Sequence, residues 1–208
     1  MKKTETNLAL LTGIFAVCLI LSNILASKVL LLFGVFVIPS AVVAYPITFL
    51  MTDVIGEIWG KQQANRTVRI GLVCQLLCIL LTLIAIFLPV APFADNQEMF
   101  KTILGSSVRV TVASLIAYMA SQTWDVFVFH KLKDKSEKHK WLRNNLSTMT
   151  SQIIDTAIFI TIAFYGTVPN IITMILSQYF IKFIFALLDT PFFYWMTRKN
   201  NNEIEEVA

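Results

Sequence analysis

Charged side chains fall at long intervals along this chain. None lies between Glu5 and Lys28, between Lys28 and Asp53, between Arg69 and Asp95, or between Asp155 and Lys182. An uncharged apolar run of about 20 residues crosses the hydrocarbon core of a bilayer as a helix, because backbone groups there have no water to bond and must satisfy one another. The pattern predicts an all-α, polytopic membrane protein of about six transmembrane helices. The expected spans are residues 8–26, 39–59, 70–88, 110–129, 150–165 and 171–196, in a single transmembrane domain over 1–208. The last two are split at Gly166-Thr167-Val168-Pro169-Asn170, where Gly, Pro and Asn favour a turn. Ahead of the second span, Val29–Ile38 is apolar but short. It fits an interfacial strand-like stretch, a re-entrant half-helix or the start of a long tilted span. Two groups of three spans would have opposite orientations, the plan of inverted-repeat transporters.

Composition agrees with the pattern. The 208 residues are 56% hydrophobic and 14% charged, against about 25% charged in soluble domains. Cys18, Cys74 and Cys78 all lie in apolar runs, and an odd count without a CxxC pair argues against a disulfide framework or a zinc site. The first apolar run follows Lys2 and Lys3 but ends in Ile24-Leu25-Ala26, which is not a small-x-small cleavage site, so an uncleaved helix is expected.

Charge then sets an expected orientation. With the N-terminus in the cytoplasm, the inner segments hold Lys2, Lys3, Lys61, Arg66, Arg69, Lys131, Lys133, Lys135, Lys138, Lys140, Arg143, Arg198 and Lys199. The outer side keeps only Lys28, Lys101 and Arg109. Cytoplasmic loops are the basic ones, so both termini are expected inside the cell, in the inner membrane. The net charge of +4 then reflects topology and anionic lipid rather than a nucleic-acid partner.

Polar residues inside apolar spans are the best pointers to function, since an ionisable group in lipid is costly unless it faces the bundle interior. The fourth span carries Tyr118, Gln122 and Asp125 on one stripe, the fifth Thr148, Gln152, Asp155 and Phe159, and the sixth Gln178, Lys182 and Asp189. Ser22 and Asn23 lie towards the outer end of the first span, and Asp53 and Glu57 one turn apart on the second. Asp53, Glu57 and Asp125 fall near cytoplasmic ends, close to Arg66, Arg69 and Lys131, where a structural ion-pair belt explains them as well as a site does. Lys182 is harder to dismiss. It sits mid-span and needs a partner or a ligand, with Asp155 and Asp189 as candidate partners. Gln122, Gln152 and Gln178 offer donors and an acceptor without charge, which suits a neutral polar ring such as a nucleobase. Interhelical glue is the plainer role for such amides. Aromatics near them, Tyr118, Trp124, Phe159, Tyr179 and Phe180, could stack on a planar ligand. No GxSxG, HExxH or Walker loop is present, and His130 and His139 lie at the cytoplasmic edge. Neither an enzyme nor a cofactor is expected, and no metal.

Four stretches together carry a family resemblance. The first is Tyr45-Pro46-Ile47-Thr48-Phe49-Leu50-Met51-Thr52-Asp53, continuing through Glu57-Ile58-Trp59-Gly60-Lys61. The second is Arg109-Val110-Thr111-Val112-Ala113-Ser114 with Ala117-Tyr118 and Gln122-x-x-Asp125-Val126-x-Val128-Phe129. The third is Ser147-Thr148 leading to Gln152-Ile153-Ile154-Asp155-Thr156, and the fourth is Tyr179-x-x-Lys182. In this order they resemble the queuosine precursor transporter family, also called the vitamin uptake transporter family, over about residues 8 to 197. The resemblance implies uptake of 7-deazaguanine precursors of a modified tRNA nucleoside, in the cyano, aminomethyl or queuine form.

On that reading a midplane site draws on spans one, four, five and six. Asn23, Gln122, Gln152 and Gln178 bond the base edges, with Tyr118 and Asp125 on the same stripe as Gln122. Asp155 accepts from the guanine-like N–H groups, as a carboxylate matches two adjacent donors, and Lys182 faces the ring carbonyl or holds Asp155 ionised. Asp53 and Glu57 serve gating or coupling, or only packing. The expected partners are the small-molecule base and membrane lipid, with a homo-oligomer open. Two other readings stay open here: a substrate-capture subunit of a multi-component importer, and a non-transporting membrane scaffold.

Overall fold

A computed structural model of the protein describes residues 2–91, 93, 95–135 and 140–184. Helix α1 (Glu5–Leu25) starts at Thr4, whose side chain accepts from Asn7 N at 3.3 Å and satisfies one of the free N–H groups of the first turn. It ends before a two-stranded hairpin, β1 (Val29–Leu32) and β2 (Phe36–Pro39). In the three-residue connection Phe33–Val35, Phe33 (φ 53°) and Gly34 (φ 71°) both take positive φ, and Val35 N donates to Leu32 O at 3.2 Å to close the turn. Of the three readings open for Val29–Ile38, the strand-like one is therefore the structure. Branched and aromatic residues favour the extended state, and Pro39 bars a helix running unbroken into the next element.

A short 3-10 helix (Ser40–Val43) leads into α2 (Tyr45–Trp59), which has Pro46 in its first turn, where a missing N–H does no harm. Gly60, at φ +91°, breaks the chain between α2 and α3 (Lys61–Phe87). Next come α4 (Gln97–Lys135) and α5 (Lys140–Phe164). Gly166 (φ +80°) then turns the chain into α6 (Ile171–Ile184), whose first turn is capped by Asn170 Oδ1 accepting from Thr173 N at 3.2 Å. The turn read at Gly166–Asn170 is thus built from a left-handed glycine and an asparagine cap.

Among the described residues, four helical segments are long and apolar enough to cross a membrane: Glu5–Leu25, Ser40–Trp59, Lys61–Phe87 and Gln97–Ser121. Met149–Phe164 and Ile171–Ile184 are shorter apolar helices. The fold is that of an all-α polytopic membrane protein with one small hairpin. Several helices outrun their apolar stretches, because helical hydrogen bonding does not stop where hydrophobicity does. Helix α3 starts at Lys61 rather than near residue 70, so Arg66 and Arg69 belong to its first turns. Its 27 residues extend about 40 Å, beyond a hydrocarbon core of about 30 Å. Helix α4 likewise starts at Gln97, ahead of the expected 110–129, and takes Glu98 and Lys101 into its first turns. Residues 185–196 of the expected sixth span, Asp189 among them, lie outside the described residues.

The described chain divides into two compact units, with boundaries passing through α4 and α6. The first holds residues 2–29, 39–108 and 182–184, the second 30–38 and 109–181. In the first unit, Leu8, Leu11 and Phe15 of α1 pack with Met51, Val54, Ile55 and Ile58 of α2. Helix α3 lies along α1 through Thr67, whose hydroxyl is 3.2 Å from that of Thr12, and Gly71, which faces Phe15 and Leu19. In the second unit, α4 buries mostly small residues, Val110, Thr111, Ala113, Ala117 and Ser121, the composition that lets helices approach closely in membranes.

Candidate functional site

Two contacts zip α4 to α5. Arg109 Nε donates to Ile162 O and its Nη2 to Tyr165 O, each at 2.8 Å. The guanidinium thereby satisfies carbonyls at the C-terminal end of α5, where cations are favoured. Further along α4, Trp124 Nε1 donates to Thr150 Oγ1 at 3.3 Å. As α4 residue numbers rise, their α5 partners fall, so the helices are antiparallel. Interpolating between the two contacts puts Tyr118 level with Asp155, and the backbone of Gln122 level with Ser151 and Gln152. The polar stripes read on the fourth and fifth spans therefore share one depth. Tyr118 is exposed, while Gln152 and Asp155 are half-buried. The side chains of Gln122 and Asp125 lie outside the described set.

Helix α6 carries the hairpin. Val37 N donates to Ser177 Oγ at 3.3 Å, and Phe36 stacks on Phe180 with centroids 5.4 Å apart. Met174, Ser177 and Ile181 form the buried stripe of α6. Gln178 and Lys182 each follow a buried residue and are half-buried. Phe180, one of the aromatics expected near the amides, stacks on the hairpin with one ring face and remains 47% exposed.

In the first unit the expected residues divide. Asn23 is buried, 7% exposed, and its Nδ2 has no hydrogen-bond partner among the described residues. Asp53 and Glu57 lie on the exposed side of α2. The sequence reading missed Gln75 of α3, which is 5% exposed with its Nε2 also unpartnered. The signal was available, since Gln75 is an amide inside the longest uncharged stretches of the chain. It is masked because the polar residues on the same face of α3, Thr67 and Thr82, lie two turns away on either side, too far to make a close stripe. Among the described residues no group of three His, Cys, Asp or Glu side chains is placed to hold a metal ion.

Apolar helices that carry amides, a carboxylate and a lysine at half-buried depth define a membrane protein that handles a polar solute. The chain belongs to the vitamin uptake transporter family: residues 39–196 match the family model described as "Putative vitamin uptake transporter". It is a multi-pass membrane protein of that family, and the resemblance drawn from the four motif stretches holds. It is similar to a Bacillus subtilis (strain 168) protein named "Probable queuosine precursor transporter", 34% identical over 187 residues, covering 88% of this chain and 80% of that protein. A Haemophilus influenzae protein of the same name is 26% identical over 144 residues, covering 69% of this chain and 59% of its own length. The Escherichia coli (strain K12) "Queuosine precursor transporter" is 28% identical over 125 residues, covering 59% and 53%. No solved structure matches the chain. In the structure the first motif, Tyr45–Lys61, is α2 with its Gly60 break, and the second opens on the Arg109 that caps α5.

Proposed function

We propose that this protein imports queuosine precursors, bases of the 7-deazaguanine type, across the cell membrane. The observation that carries the proposal is its similarity, over most of both chains, to the Bacillus subtilis protein bearing that name. The chemistry of the polar stripes supports it. Neutral amides at Gln122, Gln152, Gln178 and Asn23 match the mixed donor and acceptor edges of such a base. Asp155 matches the adjacent ring and exocyclic N–H donors, with Tyr118 and Asp125 on the accompanying α4 stripe. Lys182 serves the ring carbonyl, and Asp53 and Glu57 serve coupling. Nothing in this role calls for catalysis, a cofactor or a nucleic-acid partner. The whole chain acts as one transmembrane domain.

The test is uptake of labelled precursor by cells unable to make it, with this chain as the sole added gene. Import is expected, with Asp155→Asn and Lys182→Met each abolishing it while the protein still inserts. Guanine-like deazapurines should compete far better than adenine-like ones, because a site that bonds particular groups leaves its own groups unpaired with analogues lacking them. Equal competition by both would defeat the role assignment. Binding by purified protein without import into vesicles would instead favour a capture subunit. Both termini are cytoplasmic on the basic-residue asymmetry. Single cysteines placed at Asn96, Ser136 and Asn201 of a cysteine-free variant should react with an impermeant reagent outside intact cells only at position 96. External labelling at position 136 would overturn the topology.

A further inference from the structure

A two-stranded sheet has two edges, and in this hairpin one edge is closed and the other is open. Strands β1 and β2 make up the whole sheet among the described residues. At the base of the hairpin Ser40 N donates to Lys28 O at 2.8 Å, which fixes the antiparallel register with Leu30 opposite Ile38 and Leu32 opposite Phe36. Antiparallel strands bond to each other at every second residue. Leu30 and Leu32 therefore turn their N–H and C=O groups towards β2, and Val29 and Leu31 turn theirs away. The same alternation turns Val37 and Pro39 outward on β2. That edge is closed: Val37 N donates to Ser177 Oγ at 3.3 Å, and Pro39 has no N–H to offer. On the β1 edge, nothing among the described residues accepts from the N–H of Val29 or Leu31.

The open edge lies beside an apolar helix. Val37 meets Ser177 and Phe36 stacks on Phe180, so towards its tip the hairpin advances along α6 away from Ile171. Ser177 is about 9 Å and Phe180 about 13 Å from the start of that helix, at 1.5 Å per residue. No charged side chain lies between Lys28 and Asp53, and Val29, Leu31, Phe33 and Val35 expose apolar side chains. Backbone groups without partners are strongly disfavoured in such surroundings, which is why open sheet edges are not left in lipid.

We propose that β1 is the interface of a homodimer. It pairs antiparallel with β1 of a second copy about a two-fold axis at Leu30, giving a four-stranded sheet in the order β2-β1-β1-β2. The edge fits a copy of itself. With Leu31 opposite Val29 of the partner subunit, and the reverse, every outward N–H faces an outward C=O, and four backbone bonds close the seam. Sliding by one residue sets outward groups against inward ones. Sliding by two, in either direction, sets one outward residue against Phe33 or Ser27, both outside the strand. Charge agrees with the antiparallel choice. Lys28, the one charged residue between Glu5 and Asp53, would stand about 14 Å along the strands from its counterpart at 3.4 Å per residue. Parallel pairing would set these like charges side by side. The dimer goes beyond the import reading and does not depend on it. Through Ser177 and Phe180 it braces α6, the helix of Gln178 and Lys182.

The test uses the full-length chain, in membranes and in liposomes. Across the two-fold axis the Leu30 residues form a non-hydrogen-bonded pair with Cα atoms about 4.5 Å apart, within the span of a disulfide. In a cysteine-free variant, Leu30→Cys should oxidise to a covalent dimer. Val73→Cys is the control, a position on α3 that is 64% exposed. Leu30→Cys should react at least about tenfold faster than this control, since only it has a partner in disulfide geometry. Leu31→Pro removes one outward donor and keeps the bonds to β2, because proline is tolerated on a sheet edge. It should raise the dimer dissociation constant at least about tenfold, read by single-molecule photobleaching over a range of protein densities in liposomes. The cysteine experiment leaves the edge backbone untouched, so it stands even if the proline variant fails to insert. A Leu30→Cys rate no greater than that of Val73→Cys would overturn the dimer. So would a wild type that stays monomeric at every density, or an inserted Leu31→Pro chain that dimerises like the wild type. Faster crosslinking at Val73→Cys would place the interface on α3 and overturn it equally.

Discussion

At the Glu5 end of the first unit, α1 and α2 meet through Leu8, Leu11, Phe15, Met51, Val54, Ile55 and Ile58. At the Leu25 end of the same helices the buried residues include Ser22, Asn23, Ser40 and Thr48, with Gln75 alongside on α3. Both ends are buried, and both are made of helices that lipid alone would hold in the membrane. Association inside a bilayer gains little from hydrophobicity, since lipid tails are as apolar as leucine. The apolar end is therefore held by shape, and the polar end by hydrogen bonds that lipid cannot supply. Three of its polar side chains reach carbonyls, and two amides do not. On the proposed function, one end then serves stability and the other the ligand.

Ile55→Ala breaks the apolar end most directly. Ile55 is 0% exposed, and truncating a buried isoleucine costs about 3 kcal/mol through the lost contacts and the cavity left behind. Denaturant unfolding in detergent should report that loss, while the affinity of each folded molecule for base stays at the wild-type value. An affinity loss with stability intact would mean that the two ends are not divided as described.

Gly71→Ala probes the border between them. A Cβ there would collide with the Phe15 ring and approach Leu19 Cδ2 at 3.0 Å, so the ring or the helix must shift. Overpacking of this kind costs about 2 kcal/mol. It also displaces α3 against α1, so stability and base affinity should fall together, the first seen by unfolding and the second by nanodisc binding. Removing the obstructing ring with Phe15→Leu in the same chain should restore part of both. Failure of that rescue would show that the seam does not close at this contact.

Ser40→Ala is the mildest change. It removes the donor to Leu25 O and leaves the Ser40 N–H bond to Lys28 O, at 2.8 Å, in place. A loss of about 1 kcal/mol is expected, the net worth of one hydrogen bond. Base affinity should be unchanged. A larger affinity loss than stability loss would place Ser40 with the amides rather than with the scaffold.

Much of this was legible in the linear chain, for identifiable reasons. The uncharged runs decide membrane residence because the cost of moving charge into hydrocarbon depends on residue type and run length alone. The turn at Gly166–Asn170 and the break at Gly60 were readable because left-handed backbone and capping are short-range properties. Helix ends were less readable: α3 and α4 run past their apolar stretches, since backbone hydrogen bonding continues through Arg66 and Arg69 and through Glu98 and Lys101. Asn23 was readable as a polar residue in an apolar helix, but its lack of a partner was not.

The sequence by itself determined the class: an all-α membrane protein whose apolar helices carry amides, a carboxylate and a lysine. It determined this because hydrophobic transfer is summed residue by residue along the chain. Only the tertiary structure decided which polar residues share a depth. Arg109 and Trp124 set the α4–α5 register that puts Tyr118 level with Asp155. Thr12 and Gly71 set the α1–α3 register that puts Gln75 near Asn23. It also decided that Val29–Pro39 is a hairpin docked on α6 through Ser177 and Phe180. Partnership between helices depends on register, rotation and close approach, which are properties of pairs of segments and are written in neither segment alone.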